Sequence, residues 1–397
     1  MYIHIPTVRR TLASLVNSPV ASLRRLATVG PFALGVHAPL TVALGALRAI
    51  DHVVFPGFQT VEIHEPVFVI ANPRSGTTYL HRLLCLDEER FTFLRLWQTC
   101  MPAVSFYRAV ELGVALDERF GGHLAKLVHR FERAAFGGWD GVHNMGFQSA
   151  EEEEAYFVHT WLTPAMMFFH PVAELADELG ILDHYPDHVR EAMMRFHRTS
   201  LQRHVFADGG ERRFLSKNVM SCGRVQSILQ TYPDARIVHI VRHPYDALPS
   251  FCSMFSMPWL AHSPQIPQDS DAVRAWARLG ILYYRHVFGL GEELPPNQFV
   301  AVRYDDLVRD PFSTITTIYG RLGLEMTPTY RERLERETRK SRSYEARHAY
   351  ALGDFGLDRG EIYAELSDLF ETYGFDPDYD PGVEGSSPMR APTSRHA

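Results

Sequence analysis

A chain of 397 residues, 46% hydrophobic and 22% charged, is long enough for one large α/β domain with insertions and too apolar to be disordered. Its formal net charge of −7 excludes a general nucleic-acid binder, so any anion site has to be assembled from local cations. Cys85, Cys100, Cys222 and Cys252 form neither a Cys-x-x-Cys pair nor a disulfide framework, which fits a reduced, cytoplasmic setting.

Residues 1–60 read as a helical extension, set off by Pro56-Gly57 from a main domain over 61–375. Arg9 and Arg10 open it, but Asn17, Ser18, Pro19, Arg24 and Arg25 interrupt the apolar residues beyond them, which excludes a secretory signal. Phe32 to Leu47 is largely apolar, broken by His37 and Pro39, and short for a spanning helix. Two readings remain for residues 1–50: helices packed on the main domain, or an amphipathic surface in peripheral contact with a membrane.

Val67-Phe68-Val69-Ile70-Ala71-Asn72-Pro73-Arg74-Ser75-Gly76-Thr77-Thr78-Tyr79 is the most informative stretch. An apolar run enters a Gly/Ser/Thr turn, and a helix-compatible segment, Tyr79 to Cys85, comes next: strand near 66–72, anion-cradling loop, helix. Free N–H groups at a helix start and the helix dipole favour an anion there. Arg74 can add a fixed charge, and Ser75, Thr77 and Thr78 hydroxyl donors. A nucleoside-triphosphate loop needs Lys after its last Gly. Here Thr77 follows Gly76, and the cation precedes the glycine as Arg74, an arrangement suited to a diphosphate-like anion without the usual magnesium.

Further along, a strand is expected at Phe91–Leu96, helix through 101–136 with few breakers, a loop at Gly137–Gly141, and a helix from Glu151 to Leu162. A helix from Pro186 to Phe206 places Val189, Met193, Phe196 and Leu201 on one side. Strands at Arg213–Lys217, Arg236–Val241 and Gln298–Tyr304 alternate with helices at Arg224–Tyr232, Asp271–Leu290, Pro311–Leu322 and Glu361–Tyr373. Such alternation implies a parallel sheet covered on both faces, with ligands beyond the strands' C-terminal ends. Arg74, Lys217 and Arg242 all fall at or just past strand ends, so they should converge. The segment 376–397, rich in Pro, Gly and Ser, reads as a disordered tail.

The 67–79 segment resembles the 5′-phosphosulfate loop of sulfotransferases that use 3′-phosphoadenosine-5′-phosphosulfate (PAPS). Ala235 to Phe251 resembles that family's 3′-phosphate element, with Arg242 at a strand end and Ser250 on the next helix. Pro244 suits a first helical turn, whereas Pro249 could distort the helix. Arg303-Tyr304-Asp305-Asp306-Leu307 is similar to the family's "Arg-Tyr-Glu-Asp-Leu" segment, and Leu215-Ser216-Lys217-Asn218 to its "Leu-Lys-Ser" strand with one residue inserted. His348 to Leu357 resembles the C-terminal segment of a large bacterial branch, so the resemblance covers roughly residues 60–375.

The resemblance implies a three-layer P-loop-like α/β fold with a central parallel sheet, the helical N-terminal extension and helical insertions. It also implies an enzyme moving a sulfuryl group from PAPS to a hydroxyl on a small molecule, lipid or carbohydrate. Arg74, Ser75, Gly76, Thr77, Thr78, Arg242 and Ser250 would hold the nucleotide, and Lys217 would reach the sulfuryl group. Where one branch has its catalytic His, this chain has Val219. Other branches use Glu, and Met145 to Phe157 resembles a "Glu-Asp-Glu-Phe" stretch with Glu152 and Glu154 at the two Glu positions. A carboxylate crowded by others gains proton affinity, as a base requires. The alternative is a solvated acidic helix start. His143 and His81 are secondary candidates. Trp161, Met166, Met167, Phe168 and Phe169 could line an apolar acceptor pocket or belong to the core.

No metal is expected: the twenty histidines include no His-Glu-x-x-His, and Pro186 separates His184 from His188. Two rival functions stay open at this point, a P-loop kinase of a small metabolite and a non-catalytic nucleotide- or lipid-binding protein on the same scaffold.

Overall fold

The computed structural model describes residues 2–17, 23–136, 146–341 and 350–381. Five strands, β1 (Val67–Ala71), β2 (Phe91–Thr92), β3 (Arg213–Lys217), β4 (Arg236–Val241) and β5 (Phe299–Arg303), form one parallel sheet in the order β2-β3-β1-β4-β5. Parallel strands need cover on both faces, and the central strand shows it, since all five residues of β1 are buried. Side chains alternate across the sheet. Phe68 and Ile70 join the larger core with Trp276 and Tyr283. Val67, Val69 and Ala71 join a second core with Leu80, Ile315 and Tyr319 on the other face.

Register then positions the chemistry. Val69 lies opposite Lys217, and Ala71 opposite Ile240. The C-terminal ends of β3, β1 and β4 therefore sit side by side at the point where strand order reverses, as expected for a ligand crevice. The helix after β1 runs Thr77–Leu84, and that after β4 runs Pro244–Ser256, straight through buried Pro249.

Several expectations are corrected. The second strand stops at Thr92 because the chain leaves β3 there, and Arg95 instead bridges Ala150 in antiparallel fashion. That bridge takes the Glu151 N–H to the Leu94 carbonyl, so the acidic segment is extended at first and its helix starts only at Glu154 (Glu154–Thr160). The 101–136 region is two helices, Val104–Arg119 and His123–Phe136, divided where Gly121 and Gly122 take positive φ. A Pro328–Ser341 helix was not anticipated. The expected loop at 137–141 lies outside the described residues. So does the tail after 381, but residues 376–381 are placed against the domain. The Asp376 carbonyl meets His243 Nε2 at 3.1 Å, and Tyr379 donates to Asp246 at 3.1 Å.

The extension is likewise built into the domain. Leu44 belongs to the larger core, and Asp51, fully buried on the Ala38–Val54 helix, is a hub. Its carboxylate accepts from Arg203 Nε (2.8 Å) and from the N–H groups of Val104 (3.0 Å) and Ser105 (2.8 Å). It therefore neutralises a buried guanidinium and caps the Val104–Arg119 helix at once. Removing one partner of such a pair leaves an uncompensated buried charge. Asp51→Ala should destabilise the protein by about 3–5 kcal/mol, read as a lowered urea midpoint. An unchanged midpoint would remove the pair from the stabilising interactions.

Candidate active site

The loop after β1 is shaped by backbone conformation. Arg74 and Gly76 both have positive φ, 69° and 81°. Consecutive N–H groups then turn inward, the concavity that binds anions. A Cβ at Gly76 would lie 2.9 Å from the ring of Tyr304, so glycine is required there by both φ and space. Ser75 is fully buried in the loop, and its hydroxyl has no hydrogen-bond partner among the described residues. A buried hydroxyl without a partner in a cradle of amides suits an anionic ligand's oxygen.

The sheet brings the second phosphate element to the same place. Arg242 Nη1 donates to the Arg74 carbonyl at 2.7 Å, and Arg74 Nε donates to Ser250 Oγ at 3.2 Å. The two motifs thus share one cleft. The Arg242 guanidinium lies over the Tyr304 ring (4.5 Å to its centroid) with Asp246 at 3.8 Å. Tyr284 donates to the Arg242 carbonyl at 2.7 Å. Tyr304 links the parts, since it closes the space over Gly76 and backs Arg242.

Lys217, at the end of β3, is 1% exposed, with its Nζ 3.5 Å from Thr78 Oγ1 and 3.0 Å from Glu152 Oε1. The three neighbouring glutamates have three different surroundings. Glu152 is partly exposed and meets Lys217. Glu153 is fully buried and accepts from Ser216 Oγ at 2.6 Å. Glu154 has both oxygens engaged, one by Arg224 (3.1 Å) and Thr163, the other by Asn218 (2.8 Å). Arg224 is itself fully buried and stacks 3.6 Å over the Phe157 ring. The Glu154 carboxylate is thus held by one buried cation and two further donors. The surface-face reading fails for Glu153 and Glu154, because neither is a solvated side chain.

Sequence reasoning missed Arg224, Asn218, Thr163 and Tyr304 as supports. Asn218 and Tyr304 adjoin residues already singled out, whereas Arg224 and Thr163 carry no local signal. His81 is buried one turn into the helix after the loop, near Cys85 Sγ at 3.6 Å, and burial with the nearby Lys217 charge depresses its imidazole to about 3. His143 lies outside the described residues. Met166 and Met167 are core residues, and Phe168 packs on Phe255 and Trp276, so this run serves the core. Among the described residues no group of three or more His, Cys, Asp or Glu could hold a metal ion.

Residues 66–328 match the model of the sulfotransferase family, which spans the loop, Lys217 and the Arg242–Ser250 element. The chain belongs to the sulfotransferase family. It is an enzyme of sulfuryl transfer, and the family match decides against the kinase reading. The omega-hydroxy-beta-dihydromenaquinone-9 sulfotransferases Stf3 of Mycobacterium bovis and Mycobacterium tuberculosis are each 26% identical over 330 residues, 80% of this chain and 77% of theirs. Among solved structures, sulfotransferase STF9 from Mycobacterium avium superposes with a TM-score of 0.74 at 18% identity, covering 93% of this chain and 91% of its own. Sulfotransferase STF1 from Mycobacterium tuberculosis H37Rv gives 0.69 at 22% identity over 92% of each chain. These two share the three-layer fold.

Burial raises the Glu153 carboxyl from 4.5 to about 7, against the lowering effect of the Ser216 hydrogen bond. The folded state therefore holds this proton more tightly than the unfolded state. The stabilisation is complete below the unfolded value and is lost as pH rises toward 7. Glu153→Gln removes that loss. The melting temperature of the variant relative to the parent should climb between pH 4.5 and 7 and level off above, in scans at matched ionic strength.

Proposed function

We propose that the sulfuryl donor is PAPS and that the acceptor is a lipid-like alcohol. The observation that carries the donor assignment is the direct linkage of the two phosphate elements, Arg242 to the Arg74 carbonyl and Arg74 to Ser250. In this reading the amides and hydroxyls of Ser75, Gly76, Thr77 and Thr78 receive the 5′-phosphosulfate, with Arg74 beside them. Arg242 and Ser250 receive the 3′-phosphate. Support for a lipid acceptor comes from the Stf3 relatives, whose name specifies a hydroxylated menaquinone.

Lys217 and Glu152 supply the chemistry. The acceptor hydroxyl loses its proton to Glu152 as its oxygen bonds to sulfur. The bond from sulfur to the phosphate oxygen breaks, and its electron pair leaves with 3′-phosphoadenosine-5′-phosphate. Lys217, 3.0 Å from Glu152, stabilises charge on the bridging oxygen. When Lys217 turns to the donor it releases Glu152, so the base is freed as the electrophile arrives. Glu154 serves as an anchor for that segment. Positioning and fixed cations supply most of the barrier reduction in the analogous phosphoryl transfer, so no metal enters the proposed step.

Two measurements test this. Arg242→Ala should weaken 3′-phosphoadenosine-5′-phosphate about 10–100-fold more than adenosine-5′-phosphate in calorimetry, because the support of the Arg74 carbonyl is lost for both nucleotides and the charge-assisted 3′-phosphate contact for the first alone. Equal losses for both nucleotides would take Arg242 off the 3′-phosphate. At saturating donor, Glu152→Gln should lower kcat by about 10²–10⁴-fold with donor affinity retained. A Glu152→Gln enzyme with parental kcat would exclude it as the base.

A further inference from the structure

The Leu23–Val54 helical stretch is long and apolar enough to cross a membrane, yet most of it lies outside the core. Its C-terminal half has one face buried on the domain and an apolar face turned outward. Thr41, Leu44, Arg48 and Asp51 recur at helical spacing and are buried against the domain. On the opposite side Val42 is 74% and Val53 81% exposed, with Ile50 and Val54 between and beside them also open. Eleven residues are about three turns, so Val42 and Val53 share one stripe. An apolar helix face calls for an apolar partner, and among the described residues the domain covers only the other face.

Polar anchors decide whether this helix crosses a bilayer or lies on it. Near its start, Arg24 Nε donates to the Ala261 carbonyl and buried Arg25 Nε to Ser263 Oγ, both at 2.9 Å. Near its end, Arg48 donates to Ser200 at 2.8 Å and Asp51 pairs with Arg203 at 2.8 Å. A spanning orientation would tear both ends from the domain and leave Asp51 and Arg203 unpaired in separate media. The stretch is therefore fixed along the surface of the protein, with its outer stripe facing away.

Charge selects the partner. No Asp or Glu precedes Asp51, whereas Arg9, Arg10, Arg24, Arg25 and Arg48 do, in a chain of net charge −7. Arg9, Arg10 and Arg24 reach the surface, though Arg10 also pairs with Glu178. The adjoining Val104–Arg119 helix, capped by Asp51, adds exposed Leu112, Leu116 and then Phe120 at four-residue spacing. An apolar stripe with surface arginines nearby and no carboxylate on the outward face of the 38–54 helix fits an anionic lipid surface better than a protein groove.

We infer that the outer face of the 38–54 helix rests in the headgroup region of an anionic bilayer, holding the enzyme at the plane where a lipid acceptor presents its hydroxyl. The inference builds on the lipid reading of the acceptor but is tested without any acceptor. The full chain is floated with vesicles of phosphatidylcholine alone and of phosphatidylcholine with about one-third phosphatidylglycerol. The parent should float with the second and much less with the first. Val42→Ser/Ile50→Ser/Val53→Ser should cut the floated fraction by about tenfold. The same variant should keep parental affinity for 3′-phosphoadenosine-5′-phosphate, which shows that it is folded and separates this test from the donor assignment. A parent that stays with the soluble fraction overturns the inference. A parent that is dimeric in sedimentation and becomes monomeric in the triple variant also overturns it, because the stripe would then be covered by a second copy.

Discussion

The hydrogen bond from Arg242 to the Arg74 carbonyl is the constraint on which the site rests. It joins the end of β4 to the loop after β1 across neighbouring strands, so the parallel register sets the spacing of the two elements. Arg74 has positive φ, which is unfavourable for a side chain with a Cβ, and such a conformation persists only when its surroundings over-determine it. Three contacts do so: the Arg242 donor on its carbonyl, Ser250 on its Nε and Met254 Sδ near its Nη1 at 3.5 Å. The loop is held in a ligand-ready shape by protein groups, so donor binding need not supply the ordering free energy.

Two cations at the cleft already carry a carboxylate. Lys217 has Glu152, and Arg242 has Asp246. Unpaired cations at such burial would be costly, so the pairs stabilise the ligand-free protein. They also impose competition on an arriving anion. Burial raises the carboxyl of Asp246 despite the neighbouring Arg242, and Asp305 is raised by burial and by Asp246. A phosphate approaching Arg242 thus meets acids already disposed to take up a proton. On the other side of the cleft, the competing carboxylate is Glu152, the proposed base. In the proposed step, its displacement couples donor arrival to release of Glu152, which gives an order to the two events.

Much of this was legible in the sequence because it is local. An apolar run, a turn with Gly76 and a hydroxyl-rich helix start lie within thirteen residues, and Arg242 and Ser250 are eight apart on one strand–helix unit. The convergence of Arg74, Lys217 and Arg242 came from strand alternation alone. The acidic run was only half legible. Four consecutive glutamates offer no internal means of ranking, and the distinction among a partner of Lys217, a buried acid and an anchored carboxylate is made by residues 9 to 70 positions away. Strand length failed for the same reason. The pattern through Leu96 is strand-like, but where pairing ends depends on the Ala150 segment arriving to take over the Leu94 carbonyl.

The extension shows why a hydrophobic pattern alone could not choose between packing on the domain and lying on a membrane. Both readings predict one apolar face, and the Ala38–Val54 helix turns its apolar face outward. The polar residues separate them. Arg48 and Asp51 would be anomalous on a helix buried in lipid, but here each is satisfied by the domain, and Asp51 also caps the Val104–Arg119 helix. A buried ion pair of this kind stabilises little against an apolar replacement, yet it fixes one register strongly, because any other leaves a charge unpaired. The rotation of the helix about its axis is set by that pair, and with it the direction in which Val42 and Val53 point. The outward apolar face is thus a consequence of where Asp51 must bind.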